Sequence, residues 1–351
     1  MKPSVRVDFI QSLRALAAIL VVVSHLAKEV VSRGVEDTFQ ILSFLHTWQF
    51  GVDIFFIISG FIMFYVTDGK PTGVAPALSF VKKRAIRIIP LYWIYTTLFL
   101  ASITLVPGKI NFTEWNIPYL IASYSFIPWP RPNVGSLTPL LGLGWTLNYE
   151  MLFYAFFGVM IFIKSKRYLP LLACAFGLAV IAGLFLHKDQ PQLWYWTRSV
   201  ILEFVLGAAI AKLFRSNRSF GLSWGIISIV AGILIWQVSS ALWPVAEPEL
   251  NIRGFVWGPA AALIVGGFTL CPPLRAFLEK GGSGSIPQML GDSSYSLYLS
   301  HMFVVRVMTI LLGGMITGAM SAVYILLTLT ACALVGYVSY LVLEKPLVSR
   351  R

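Results

Sequence analysis

Charge is what this chain of 351 residues has least of: Asp, Glu, Lys and Arg together make up 12% of it. A soluble domain of that length carries about twice that share, so a soluble globular class is excluded. Cysteine is scarce as well. Cys174, Cys271 and Cys332 lie in or beside apolar segments far apart in the chain, and they support neither a disulfide framework nor a metal site. No low-complexity tract and no repeat with a period of 20–50 residues is present, so no repeat architecture is expected. A cleaved leader is not expected either, because the first apolar segment lacks a small-residue cleavage site and holds Arg14 and His25.

Apolar residues fill the gap. They make up 57% of the chain, and mean hydropathy is +0.78. Runs of membrane-spanning length recur from end to end. The expected class is therefore an all-α integral membrane protein, with about ten transmembrane helices around a central polar cavity. The expected spans are 9–28, 50–67, 88–106, 143–163, 168–186, 198–214, 223–243, 255–271, 294–312 and 319–342. Ten spans of about 20 residues use roughly 200 positions. The rest is short loops, so residues 1–351 are expected to form one membrane domain with no appended soluble domain.

The formal charge is +12. Such an excess can serve nucleic acid or anionic lipid, but in a membrane protein its distribution is more informative. With the N-terminus inside, the inner side holds eighteen Lys and Arg, among them Lys2, Arg6, Lys82, Lys83, Lys166, Arg350 and Arg351. The outer side holds seven: Lys28, Arg33, Lys109, Arg131, Lys188, Arg198 and Arg253. That asymmetry places both termini in the cytoplasm and makes the number of spans even, with membrane lipids as partners and no nucleic acid expected. The long outer loop 107–142 contains IPYLIASYSFI, a re-entrant or interfacial helix by its composition. On the inner side, 272–292 reads as a flexible connector.

Within this apolar frame the ionisable residues stand out. The segment from Phe9 to Val30 carries Arg14 and His25, eleven residues apart. On a helix that is about three turns, so both share a face roughly 16 Å apart along the axis. Ionisable groups at membrane depth cost several kcal/mol unless they face protein or water, so this stripe implies an interior cavity. Asp53, Ser59, Glu150, Glu203, Tyr295, Tyr298 and His301 are expected in one outer-half layer with His25. Arg84 and Arg87 sit one turn apart at the inner end of the third span, a pair suited to phosphate oxygens.

A neutral His25 could take the proton of an attacking hydroxyl, with Asp53 or Glu150 as the carboxylate that orients it. Structural readings compete: Glu150 as an interhelical acceptor, Arg14 snorkelling to the inner interface, Arg84 and Arg87 as ordinary inner-side cations, Tyr295 and His301 as interhelical hydrogen-bond partners. His46 and His187, in outer loops, are given no role. Trp93, Trp194 and Trp243 read as interfacial belt, whereas Trp129 and Trp145 lie where a sugar could stack.

Six pieces of the chain together resemble one family. They are the Arg-ten-residues-His pattern of Arg14 and His25, GVDIFFIISGF at 51–61, RAIRIIP at 84–90, WTLNYE at 145–150, SYSLYLSH at 294–301 and the closing EKP at 344–346. In this order they resemble the acyltransferase family 3 membrane proteins, and most of all the branch linked to exopolysaccharide production. The resemblance implies an acyl-CoA donor, most simply acetyl-CoA, entering from the cytoplasm, and a sugar hydroxyl of an envelope or secreted glycan as acceptor. It implies a catalytic role for His25 and CoA-phosphate contacts for Arg84, Arg87 and Arg14. Glu150, Asp53 and Arg14 join the candidate catalytic set, and Trp145, Tyr295, His301 and Ser59 the candidate substrate contacts. No metal is expected. The rival classes are a glycolipid flippase with a proton relay through Arg14, His25 and Glu150, and a non-enzymatic subunit of a glycan assembly complex.

Overall fold

A computed structural model describes residues 7–35, 41–105, 116–164, 167–243, 251–282 and 284–349. Among them all regular structure is helical. The helices are α1 (Asp8–Ser32), α2 (Ile41–His46), α3 (Gly51–Thr67), α4 (Val74–Leu105), α5 (Ile117–Tyr124), α6 (Trp145–Phe162), α7 (Tyr168–Gly183) and α8 (Pro191–Trp196). They continue with α9 (Leu202–Arg215), α10 (Leu222–Leu242), α11 (Arg253–Leu270), α12 (Pro272–Glu279), α13 (Ile286–Asp292), α14 (Ser294–Leu312), α15 (Met320–Ser339) and α16 (Lys345–Ser349).

Each expected span coincides with a helix, but seven stretches are long and apolar enough to cross a membrane by length and composition: Asp8–Ser32, Ile41–Thr67, Val74–Leu105, Leu222–Leu242, Arg253–Leu270, Ser294–Met315 and Met320–Ser349. The other three are α6, whose first turns carry Thr146, Asn148, Tyr149 and Glu150, and α7 and α9, which have 16 and 14 residues. Helices this short or this polar are stabilised by the bundle around them. Lys2, Arg6, Lys109, Lys166, Arg350, Arg351 and the start of the 107–142 loop lie outside the described residues.

The core is built on close helix contacts. Helices α3 and α9 meet through Gly60 and Gly207, where an added Cβ would overlap the backbone carbonyls of Phe204 and Ile57 respectively. Without a hydrophobic drive between helices in lipid, such small residues let backbones approach and gain packing. Helix α1 lies inside the bundle, against α3, α13, α14 and α15. Helices α10 and α15 lie outside it, exposing Ile227, Leu234, Val238, Leu326, Leu334 and Val338, as lipid-facing helices do. At 32 residues α4 is roughly 48 Å long, more than the ~30 Å hydrocarbon layer. Its polar start, with Lys82, Lys83, Arg84 and Arg87, therefore extends beyond the apolar Ile88–Leu105 stretch.

Two loop expectations are resolved. IPYLIASYSFI forms α5, an eight-residue helix capped by Asn116, whose side chain accepts from the Tyr119 N–H. At roughly 12 Å it does not cross a bilayer. The segment 272–292 is a pair of helices, not a flexible connector. Pro272 and Pro287 open α12 and α13 at positions where a missing N–H costs nothing. Buried Gln288 then donates to the Asp8 carbonyl at 2.8 Å, and Ser12 donates to the Leu278 carbonyl at 2.9 Å, fixing both helices to the start of α1.

Candidate active site

Three cavities follow one another along α1. The first, about 90 Å³, is lined by Arg14, Ser59, Arg84, Arg87, Glu150, Tyr154 and Tyr295. The second, about 100 Å³, is lined by Ser24, His25, Lys28, His46, Gln49, Trp145 and Arg253. Val52 and Tyr298 line both. The third, about 620 Å³, lies under the 130–138 loop and the α7–α8 connection, and shares Lys28, Gln49, Trp145 and Arg253 with the second. Shared walls put the His25 cavity between the arginine cluster and the loop-covered cavity.

Hydrogen bonding at His25 decides which nitrogen can act. Nδ1 lies 2.9 Å from the Val21 carbonyl, one turn back in α1. A carbonyl only accepts, so the proton sits on Nδ1 and Nε2 carries the lone pair. His301 of α14, fully buried, is held the same way: its Nδ1 donates to the Tyr298 carbonyl at 2.7 Å. Its Nε2, an acceptor, lies 3.4 Å from His25 Nδ1. The two rings are 5.0 Å apart. His25 therefore has two acceptors on its Nδ1 side, and among the described residues no carboxylate contacts it.

In the first cavity Glu150 accepts from Ser59 Oγ at 3.3 Å and from the Tyr154 hydroxyl. The Arg84 guanidinium lies 5.7 Å from the Phe80 ring centre and 5.9 Å from that of Tyr154. Arg14, buried although cationic, donates to Gln11 Oε1 at 3.2 Å. Tyr295 donates to the Ile88 carbonyl at 2.8 Å, and so ties α14 to α4 just past Arg87. Three arginines and one hydrogen-bonded carboxylate form a site of net positive charge.

The single polar layer expected from sequence depth is thus divided. Glu150, Tyr295 and Ser59 face the first cavity with the arginines, and His25 faces the second. Asp53 faces neither. Fully buried, it accepts from Arg253 Nη2 at 2.7 Å and Nε at 2.9 Å, a bidentate ion pair between α3 and the first residue of α11. Glu203 of α9 is buried close enough to interact electrostatically with Asp53. Trp145 lines the second and third cavities, with the Arg253 guanidinium 5.6 Å from its ring centre.

Two residues sit closer to the cavities than their sequence context indicates. Trp194 is no belt residue: it is buried in the third-cavity wall beneath Arg198, whose guanidinium lies 4.3 Å from its ring centre. His46 lines the second cavity with His25, because the short helix α2 folds back onto α1. Arg253 and Arg198 counted in the sequence only as outer-side charges. The one signal that could have raised them is an arginine directly beside a long apolar run.

The family model described as "Acyltransferase domain" matches residues 7–342. An exopolysaccharide production protein, ExoZ, of Rhizobium meliloti is 33% identical over 303 residues, covering 86% of this chain and 89% of the relative. The acyltransferase MdmB of Streptomyces mycarofaciens is 27% identical over 374 residues, covering 97% and 92%. The O-acetyltransferase OatA of Staphylococcus aureus is 25% identical over 366 residues, covering 96% of this chain and 56% of the relative. No solved structure matches the chain. With a family model that runs from the start of α1 into the π-helical turn Tyr340–Glu344, the chain belongs to the acyltransferase family 3 membrane proteins.

Proposed function

We propose that this protein is an O-acyltransferase of the bacterial inner membrane that moves a short acyl group, acetyl in the simplest case, from cytoplasmic acyl-CoA to a sugar hydroxyl of an envelope or secreted glycan. The observation that carries this reading is the row of cavities: a cationic one, a small one holding His25, and a large one under the loops, each sharing walls with the next. Names of relatives support it. ExoZ is described by exopolysaccharide production, and OatA as an O-acetyltransferase.

The first cavity takes the donor from the cytoplasmic side. Arg14, Arg84 and Arg87 offer guanidinium forks to the phosphates of CoA, and Glu150, fixed by Ser59 and Tyr154, keeps their positive charge oriented. The thioester end extends past Tyr295 and Tyr298 to His25. There the acceptor hydroxyl, entering from the third cavity, gives its proton to His25 Nε2 while its oxygen attacks the thioester carbonyl carbon. Collapse breaks the C–S bond, and the leaving thiolate takes the proton back from Nε2, leaving a glycan ester and CoA thiol. Val21 and His301 hold the imidazole in the required tautomer. Asp53 acts through Arg253, which it fixes between the second and third cavities, and Trp145 gives the sugar a flat apolar face. Transfer is direct, since among the described residues no serine or cysteine is paired with His25 as a nucleophile.

Donor binding tests the proposal. Purified protein in nanodiscs is expected to bind acetyl-CoA saturably, and Arg84→Ala with Arg87→Ala to weaken that binding by about tenfold or more, two charge-assisted contacts being lost. A flippase or scaffold subunit has no reason to recognise CoA. Well-folded protein that does not bind it would remove the donor from this account.

A further inference from the structure

The large third cavity carries an imbalance that the transfer reaction does not require. Its lining holds four cations, Lys28, Lys188, Arg198 and Arg253, and no carboxylate. Asp53 neutralises Arg253 from behind. Arg198 has no such partner among the described residues. It gives two of its five N–H donors to the backbone carbonyls of Trp194 and Gly183, each at 2.8 Å, which holds the guanidinium still without cancelling its charge. A buried cation held only by carbonyls and the Trp194 ring face keeps its full charge, which is costly unless an anion visits it.

A second feature of the lining suits a sugar. Asn251 lines the same cavity, its Oδ1 accepting from the Ser199 N–H at 2.5 Å. Part of the lining is aromatic and rigid: Tyr149 and Tyr195 stack at 4.4 Å, and each hydroxyl is tied to a carbonyl, Tyr149 to that of Tyr195 and Tyr195 to that of Trp145. Flat apolar faces beside fixed cations suit a sugar ring carrying an oxyanion.

From this we infer that the acceptor is anionic: the third cavity binds a saccharide bearing a carboxylate or phosphate oxyanion, which pairs with Arg198 and Lys28 while the sugar lies on the aromatic wall and its hydroxyl reaches toward His25. The inference rests on the acyltransferase reading for the acceptor's role, but not for the charge preference itself. Carboxylate on the glycan and pyrophosphate of a lipid-linked precursor are the two sources of such an oxyanion.

Binding to the full chain in nanodiscs of uncharged lipid tests it with two matched pairs of probes. One pair is a uronate-containing disaccharide and its carboxyl-reduced counterpart. The other is a short-prenyl pyrophosphate-linked disaccharide and its ether-linked analogue without phosphate. The charged member of at least one pair is expected to bind about tenfold or more tightly at low salt, with the advantage shrinking as salt rises. Preference within the first pair identifies a glycan carboxylate, and within the second a lipid-carrier pyrophosphate. Lys28→Gln and Arg198→Gln are each expected to erase about five- to tenfold of the charged probe's affinity and leave the neutral probe unchanged. Arg198 also tethers two carbonyls, so Lys28→Gln keeps the test open if the Arg198 variant misfolds. Equal binding within both pairs overturns the inference. Acetyl-CoA binding, measured on the same samples, is expected to be unaffected by either variant. Its absence from wild type would end the acyltransferase reading while leaving the charge preference to stand or fall on the probes.

Discussion

Replacing His301 with Leu tests the tautomer argument at the centre of the site. His301 Nε2 is the second acceptor for His25 Nδ1–H, at 3.4 Å, while the Val21 carbonyl at 2.9 Å is the first. Removing His301 leaves Val21 in place, so His25 keeps its Nδ1–H tautomer and loses part of its orientation. A neutral hydrogen bond of this kind contributes about 0.5–1.5 kcal/mol. At about 1.4 kcal/mol per decade, that is roughly a two- to twelvefold fall in kcat. KM for the donor is expected to stay unchanged, because His301 does not line the arginine cavity. His25→Gln, in contrast, removes the base and is expected to cost about 10²- to 10⁴-fold. The assay is acyl transfer from labelled acetyl-CoA in purified nanodisc samples, with kcat and KM resolved for each variant. A His301→Leu loss as large as that of His25→Gln would refute the assignment and make His301 a proton-transfer group in its own right.

Asp53→Ala leaves the partly buried Arg253 without its bidentate partner and is expected to cost about 1–3 kcal/mol of stability, visible as loss of monodisperse protein on heating in detergent. The double replacement Asp53→Leu with Arg253→Met is expected to recover most of that stability but not transfer, because Arg253 also lines the second and third cavities. Gly207→Val places a side chain against the Ile57 carbonyl where α3 and α9 touch, and is expected to abolish folded protein in the membrane fraction, whereas Gly142→Ala, with open space around it, is expected to be silent.

Helix positions were legible in this chain because lipid imposes one rule: a backbone in hydrocarbon must bond to itself, so apolar runs become helices wherever they occur. The ten expected spans all fall on helices for that reason. Facing was not legible. Asp53 and His25 share a depth in the sequence reading, yet Asp53 turns toward Arg253, 200 residues away. Such long-range pairs leave no local trace. Glu150 stands out in the sequence as an acid in an apolar run, but not as a residue lining the same cavity as Arg14, Arg84 and Arg87, because that depends on how α6 rotates against α4. The 272–292 segment misled through its glycines and prolines, which here punctuate two short helices instead of loosening a loop.

The most direct test of the account is mass spectrometry of surface and secreted glycans from cells lacking this gene, complemented with wild type or with His25→Ala at matched membrane abundance. The account predicts loss of one acyl mass from a glycan, restored by wild type and not by His25→Ala. Disappearance of the whole glycan from the surface, with acylation of its intracellular precursors unchanged, would contradict it and assign the protein to substrate movement.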